Sequence, residues 1–219
     1  GPVFLALAWA CWKMYLGRPK TDERYVQGLG VLGSALRGSQ PKEALPVLEA
    51  NLALVRRYWS QDQDRILAAQ SNLAANFSAL KRHDEALVLM REIYAISVAL
   101  AGDSHDATIL HGYNVASTLL FLGRCREAKR ILAELISVSR RSLGPDHNLT
   151  LSLNANVVCA LAQDPARTRE DLIKAETIAR DTFQRRRRVF GPAHPDTRKD
   201  EQNLAQMELQ LELARTKPA

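Results

Sequence analysis

Aromatic residues make up only 6% of this 219-residue chain, and cysteine occurs only three times. Residue types that favour β-strands are therefore scarce, whereas alanine and leucine, which favour helices, are abundant. This balance excludes an all-β sandwich. Cys11, Cys125 and Cys159 are odd in number and show no CxxC spacing. That pattern excludes a disulfide framework and a zinc ribbon, and it predicts a reducing, cytoplasmic compartment.

Long hydrophobic runs are also missing, and the uninterrupted apolar segment at residues 3–12 is too short to span a bilayer. Two interpretations of this segment stay open. It is either a helix of the fold, left over from a preceding repeat, or the end of a transmembrane helix. The second rests on Trp9 and Trp12 followed by Lys13 and Lys20, an arrangement typical of a membrane interface. A membrane is an expected partner only under the second interpretation.

A period of 42 residues organises the chain. The dipeptide Glu-Ala at 43–44 recurs at 85–86 and 127–128, and Asn72 recurs in the same phase as Asn114 and Asn156. The next markers, among them His194 and Asn203, lie 47 residues beyond their counterparts, so an insertion of five residues falls between positions 163 and 171. Repeats of this length are typical of solenoids, in which each unit buries its apolar face against its neighbours.

Each repeat predicts two helices joined by a short turn, because apolar residues recur at helical spacing and glycines such as Gly144 and Gly191 mark the ends. The predicted fold class is all-α: an α-solenoid, a right-handed superhelix of tandem antiparallel helix hairpins. We expect an N-terminal apolar helix within residues 1–21, repeats at about 22–60, 64–102, 106–144 and 148–191, a terminal helix at 195–214 and a tail at 215–219.

The motif Leu73-Ala74-x-x-Phe77, followed by Ala86-x-x-x-Met90, combines with loops such as Gly144-Pro-Asp-His147. Over residues 22–214 this combination resembles the 42-residue tetratricopeptide repeats of kinesin light chains. The resemblance implies a non-catalytic protein–protein interaction scaffold. Its ligand would be an extended peptide segment of a protein partner, bound in a concave groove formed by the first helices.

The recurring asparagines are the best candidates for a binding site, because asparagine is a mediocre residue for a helix interior. The resemblance implies that this first-helix position faces a bound peptide and pairs with its backbone. A structural role, in which each amide bonds between adjacent hairpins, is equally open. The candidate peptide-binding residues are Asn72, Asn114, Asn156, Asn203, Tyr113, Ser117 and Lys199.

The net charge of +6 is concentrated in one sector, residues 121–190, which carry fourteen basic and eight acidic residues. Much of this charge follows the repeat phase and predicts a solvated stripe at the ends of second helices. The alternative is a patch for an acidic partner, formed by Arg140, Arg141, Arg185, Arg186, Arg187 and Arg188. Nucleic acid is a less expected partner, since the rest of the chain is near neutral. A structural role in a larger assembly also stays open.

Two other patterns have simpler explanations than a site. Gly28-x-Gly30-x-x-Gly33 has the spacing of a dinucleotide fingerprint, but no strand precedes it, so we expect no cofactor. We expect this helix to be the least stable of the array, because glycine is unfavourable in a helix interior, unless Gly30 or Gly33 allows close packing. The repeated loop residues His105, His147 and His194 lie one repeat apart, too far for one metal ion, and predict a loop-stabilising or capping role. The sequence contains no nucleophile, general base and acid at spacings that would bring them together, so we predict that the protein is not an enzyme.

Overall fold

The computed structural model describes the backbone of residues 2–216 and the side chains of residues 5–214. Within these residues all regular structure is helical, which confirms the predicted all-α fold. The ten helices are α1 (Pro2–Lys13), α2 (Glu23–Arg37), α3 (Pro41–Tyr58), α4 (Gln63–Ala79), α5 (His83–Ala101), α6 (Asp106–Phe121), α7 (Cys125–Ser142), α8 (Asn148–Gln163), α9 (Arg169–Phe190) and α10 (Pro195–Thr216).

The helices alternate between two roles. We call α2, α4, α6, α8 and α10 the A helices, and α3, α5, α7 and α9 the B helices. In each complete pair a short turn joins an A helix to the B helix that follows it, which is the αα-hairpin predicted from the repeat. The predicted terminal helix extends to Thr216, and the rest of the predicted tail, residues 217–219, lies outside the described residues.

The chain divides into two compact units, Gly1–Ile96 and Ser97–Ala219. The core of the first unit is dominated by leucines from α2, α3 and α4: Leu29, Leu32, Leu36, Leu48, Leu52 and Leu73. The second unit buries Val115, Leu119, Leu132, Leu135, Leu151 and Leu153, and a further cluster from α8, α9 and α10 adds Val158, Ala175, Ala179, Leu204 and Met207. Burial of these side chains at helical spacing is the main source of stability in each unit.

The predicted insertion lies between α8 and α9. Helix α8 ends at Gln163, and residues 164–168 form a turn that is two residues longer than the turn between α6 and α7. Asp164 holds this turn, because its carboxylate lies 2.5 Å from the Lys129 ammonium and accepts a hydrogen bond of 2.9 Å from the backbone N–H of Ala166. Both contacts lower the pKa of Asp164. Helix α9 has 22 residues against 18 in α7, while the loop after it, residues 191–194, is one residue shorter than residues 143–147, so the insertion of five is accounted for.

The loop histidines cap the A helices, as the sequence predicts. In His105, His147 and His194, Nδ1 accepts a hydrogen bond of 3.2 Å from the backbone N–H two residues further on. Each bond satisfies one of the amide groups that a helix start leaves without a partner. The B helices α5, α7 and α9 are followed by glycines with positive φ, for example Gly144 at 93° and Gly191 at 83°, where a residue with a Cβ would be strained.

We expect His147→Ala to lower the free energy of unfolding by about 1 kcal/mol, because the first turn of α8 loses its side-chain acceptor. His147→Asp should retain stability or raise it slightly, since aspartate is a preferred capping residue and its charge suits a helix N-terminus. Urea unfolding followed by circular dichroism measures both changes. Equal losses in the two variants would show that the imidazole acts through packing and not as a cap.

Candidate binding clefts

The first unit contains a cleft of about 460 Å³ between A helices α2 and α4, with B helix α3 behind them. Its walls are mainly small or apolar, with a few polar groups at defined places. We call it the first cleft. It is lined by Val26, Gln27, Gly30, Val31 and Ser34 from α2, by Asn51 and Val55 from α3, and by Arg65, Ala68, Ala69 and Asn72 from α4.

Small residues at repeat positions create the first cleft. Gly30 holds the position that Asn72 holds in the next repeat, so α2 presents no side chain there. Ala69 holds the position that is His111 and Leu153 in the second unit, and both of those side chains are larger. We therefore attribute the cleft to a glycine and an alanine at two repeat positions where the other repeats have larger residues.

Asn51 supplies a polar group to the wall of the first cleft. It is buried in α3, and its Nδ2 donates a hydrogen bond of 2.7 Å to the backbone carbonyl of Val26. A Cβ on Gly30 would lie 3.6 Å from Asn51 Oδ1, so the two residues are direct neighbours. Asn51 is not among the binding residues predicted from the sequence. Its signal is a polar residue at the register of Ile93 and Leu135, both of which are buried.

Arg65 lies at the edge of the first cleft, and its guanidinium is fixed in place by neighbouring side chains. Its Nη2 donates to Glu23 Oε1 at 2.7 Å, and its Nε donates to Asp62 Oδ2 at 2.6 Å. The guanidinium also lies 5.6 Å from the centre of the Trp59 ring. A hydrogen bond from the Arg65 backbone N–H, followed by that from its side chain, lowers the pKa of Asp62. Two carboxylates therefore orient and largely neutralise this arginine.

The second unit contains a smaller cleft of about 390 Å³ between A helices α6 and α8, which we call the second cleft. Tyr113, one of the predicted binding residues, lies in its wall, and Leu110 contributes an exposed apolar surface. The capping residue His147 forms part of the opposite wall. The other lining residues are Asp106, Ala107, Asn148, Leu149 and Ser152.

The four candidate asparagines all lie on A helices and are all half-buried. Their hydrogen bonding differs. Asn156 Nδ2 on α8 donates a bond of 2.8 Å to Ser117 Oγ on α6, so this amide links adjacent hairpins. Within the described residues the side-chain amides of Asn72 and Asn114 have no protein partner, and Asn72 lines the first cleft. This geometry supports a structural role at Asn156 and leaves Asn72 and Asn114 available to a ligand.

Asn156→Ala should lower the free energy of unfolding by about 0.5–1.5 kcal/mol, because the bond to Ser117 is lost. Asn72→Ala should cost less, since no protein hydrogen bond is broken and alanine favours the helix. Chemical unfolding of the two variants beside the wild type measures the difference. A larger loss in Asn72→Ala than in Asn156→Ala would contradict this division of roles.

The remaining predicted binding residues, Ser117, Lys199 and Asn203, do not line either cleft. Ser117 accepts the bond from Asn156 and so acts within the fold. Lys199 is exposed in the first turns of α10, and Asn203 is half-buried one turn further along the same helix.

Much of the predicted arginine patch is paired within the second unit. Arg185 and Arg188 both contact Asp146, at 3.0 and 2.8 Å, and these contacts lower the pKa of Asp146. Arg186 is buried among acidic and polar groups and is not part of the surface. Arg187 is exposed, as are Arg140, whose Nη2 donates to Asn154 Oδ1 at 3.5 Å, and Arg141, whose Nη1 donates to Ser137 Oγ at 2.7 Å.

The glycine fingerprint lies inside helix α2, where two of its glycines allow close packing. Gly33 faces Leu48 on α3 so closely that a Cβ would lie only 2.6 Å from Leu48 Cγ. Gly28 similarly packs against Tyr15. In residues 2–216 no strand precedes these glycines, and a dinucleotide fold requires one. Within the side chains that the structure describes, no group of three potential metal ligands is close enough together to hold an ion.

The structure and the sequence are both similar to known repeat proteins. The sequence profile described as "Tetratricopeptide repeat" matches residues 66–107, 113–149 and 166–196, which together make up half of the chain. No curated protein is significantly similar in sequence.

Solved structures with the same fold include a Podosopora anserina kinesin light chain protein described as having nearly identical TPR-like repeats. It aligns with a TM-score of 0.74 at 17% identity, covering 84% of this chain and 86% of that chain. BtubC (BKLC) from P. vanneervenii aligns with a TM-score of 0.73 at 17% identity, covering 94% of this chain and 82% of that chain. With the profile match, these similarities identify the chain as a member of the tetratricopeptide repeat family, with a fold like that of kinesin light chain repeats.

Proposed function

We propose that this protein is a non-catalytic interaction scaffold that binds an extended peptide segment of a protein partner along its A helices. Tetratricopeptide repeats are in general protein-interaction modules, which supports the broader part of this proposal. Binding of an extended peptide is supported by the first cleft, which has a volume of about 460 Å³, mainly apolar walls and a few polar groups. We expect this binding to take place in the cytoplasm, on the evidence of the cysteine pattern.

The first cleft has the chemistry that an extended peptide requires. An apolar peptide side chain would be desolvated against Val26, Val31 and Val55. An extended backbone has N–H and C=O groups that need partners, and the half-buried Asn72 amide can both donate and accept. Side-chain burial would supply affinity, while the amide would fix the position of the peptide along the helix.

The second cleft offers a similar combination within its own unit. Tyr113 provides a large amphipathic surface and Leu110 an apolar one. Asn114 does not line the second cleft, but it follows Tyr113 on α6, and its amide has no protein partner among the described side chains. We propose Asn203 and Lys199 as further contacts on α10, on the basis of their repeat positions.

Filling the first cleft tests the proposal directly. The probe is a peptide selected from a displayed library against the whole chain. Ala68 is exposed in the cleft wall, and Ala68→Trp should raise the Kd of the peptide on the order of tenfold or more by occupying its space. Ala95→Trp is the matched control, because Ala95 is also exposed but lies on B helix α5. Unchanged affinity in Ala68→Trp, or an equal loss in both variants, would place the peptide elsewhere.

The same peptide distinguishes a cleft from a charged surface. Binding dominated by apolar burial should change little between low and moderate salt. A steep salt dependence would instead indicate the arginine sector, and for nucleic acid it would follow the number of phosphates neutralised.

A further inference from the structure

Helix α1 exposes an unusual amount of apolar surface. From Leu5 to Trp12 it contains no charged residue and no residue with a hydroxyl or amide side chain. Leu7 is 59% exposed, and Met14, just beyond the helix, is 74% exposed. Ala6, Trp9, Ala10 and Cys11 are exposed as well. An exposed apolar surface of this kind indicates a site that another surface covers.

The fold covers only one side of α1. Ala8 and Trp12 are buried against α2, and the Trp12 ring lies 4.9 Å from that of Tyr25. Leu5 is half-buried on the same face. These residues account for the packing of α1 in the first unit. They leave the outer face, which carries Leu7, Ala10 and Met14, exposed.

Repeat packing does not cover this outer face. When Leu16-Gly17 is aligned with Leu143-Gly144, the buried positions of α1 correspond to Leu132, Leu135 and Ser139 of α7, which are also buried. The outer residues Leu7, Ala10 and Met14 then correspond to Glu134, Ser137 and Arg141. In α7 these three are exposed although α6 and α8 pack on either side of it. A neighbouring hairpin would therefore leave the apolar face of α1 in solvent.

Basic residues follow the apolar face. Lys13 and Lys20 are exposed, and Arg18 contacts Asp22 at 2.8 Å. Residues 1–21 contain no aspartate or glutamate, so this end of the chain carries positive charge only. A surface that combines an apolar interior with negative charge at its boundary is complementary to this arrangement, and an anionic lipid bilayer has that combination.

We infer that α1 lies in the interface of an anionic membrane, with Leu7, Ala10 and Met14 in the acyl boundary and Lys13 and Lys20 at the headgroups. Trp9 is 40% exposed on the same helix, and tryptophan is a residue that membrane interfaces favour. No helix in the described residues is long and apolar enough to cross a membrane. The contact is peripheral, and its strength depends on both apolar burial and charge.

Vesicle sedimentation with the whole chain tests this inference. Vesicles of phosphatidylcholine containing phosphatidylserine should bind the protein, and vesicles of phosphatidylcholine alone should bind it less. Leu7→Glu, which introduces the residue type of α7, should lower partitioning by about tenfold or more. Val88→Glu is the matched control, because Val88 on α5 is also 59% exposed, and it should leave partitioning unchanged. Circular dichroism checks that both variants are folded.

The inference is overturned if the folded chain does not bind anionic vesicles, or if Val88→Glu reduces binding as much as Leu7→Glu does. Analytical ultracentrifugation tests the alternative that a second copy of the chain binds to the same face of α1. A dimer that Leu7→Glu dissociates, without any binding to vesicles, would show that a second copy covers α1 and would equally overturn the inference.

Discussion

Replacing Arg186 by methionine should lower the free energy of unfolding by about 3–5 kcal/mol, the largest loss expected for a single substitution in this chain. The Arg186 side chain is only 2% exposed, and its Nε lies 2.7 Å from Oδ2 of Asp200, which is 5% exposed. Its Nη1 donates to Asn148 Oδ1 at 2.7 Å and lies 3.2 Å from Asp196. Methionine fills a similar volume but leaves the Asp200 carboxylate buried without its cation.

Two further variants separate the ion pair from other causes. Arg187→Met changes the exposed neighbour and should alter stability by no more than about 0.5 kcal/mol. The double variant Arg186→Met with Asp200→Leu should recover much of the loss, because the uncompensated charge is removed together with its partner. Equal effects of Arg186→Met and Arg187→Met in urea unfolding would contradict the structural role of this pair.

The pH dependence of Arg186→Met follows from Asp200. Burial raises the pKa of Asp200 although Arg186 lowers it. An acid whose pKa is higher in the folded state favours folding at low pH, and this contribution is lost as the pH rises through the folded pKa. Without Arg186 the pKa of Asp200 should be higher still. The deficit of Arg186→Met should therefore be larger at neutral pH than near the ordinary aspartate value of 3.8.

Gly33→Ala should lower the free energy of unfolding by about 1–3 kcal/mol, although alanine is the better helix former. The new Cβ would lie 2.6 Å from Leu48 Cγ, and Leu48 is completely buried in α3. Helices α2 and α3 would have to move apart, or Leu48 would have to leave its rotamer. The expected overpacking exceeds the gain of about 1 kcal/mol in helix propensity.

Gly30→Ala is the matched control for Gly33→Ala, since both glycines lie in the same helix. A Cβ at position 30 would lie 3.6 Å from Asn51 Oδ1, an ordinary contact, so this variant should be more stable than the wild type by about 0.5–1 kcal/mol. Because Gly30 lines the first cleft, Gly30→Ala should also weaken peptide binding. Stabilisation by both alanines would show that Leu48 does not define the helix spacing.

The repeat phase predicts the backbone well, because one local geometry recurs in each unit. Capping by His105, His147 and His194 could be predicted, since an equivalent position in equivalent loops has an equivalent role. The insertion could also be located, since Asp164-Pro165 ends α8 where two registers diverge. These features depend on residues near each other in sequence, where propensity and turn chemistry are informative.

The buried polar contacts could not be predicted from composition, because they depend on which registers face each other across two helices. Positions 97, 139 and 186 are equivalent, and so are 111, 153 and 200. The structure pairs Ser97 with His111, with 2.7 Å between Oγ and Nδ1, and Arg186 with Asp200. In the first unit the same registers hold Val55 and Ala69, which line the first cleft.

The four consecutive arginines have different environments, which their residue type alone does not predict. Arg185, Arg186, Arg187 and Arg188 are identical in chemistry, and only the register of Arg186, which matches buried Ser139, distinguishes it. The signal was a charged residue at a position that is small and buried in the preceding repeat. Asn51 has the same kind of signal, as a polar residue at an apolar register.

The central claim, that a peptide binds to the A helices through their unpartnered asparagines, is tested most directly by calorimetric titration. A library-selected peptide is titrated into Asn72→Ala with Asn114→Ala, and separately into Asn156→Ala, and each variant is also melted. The double variant should bind on the order of tenfold more weakly and retain nearly the wild-type Tm, whereas Asn156→Ala should have the lower Tm. Unchanged affinity in the double variant together with a much lower Tm would contradict the claim, because it would show that these amides are structural.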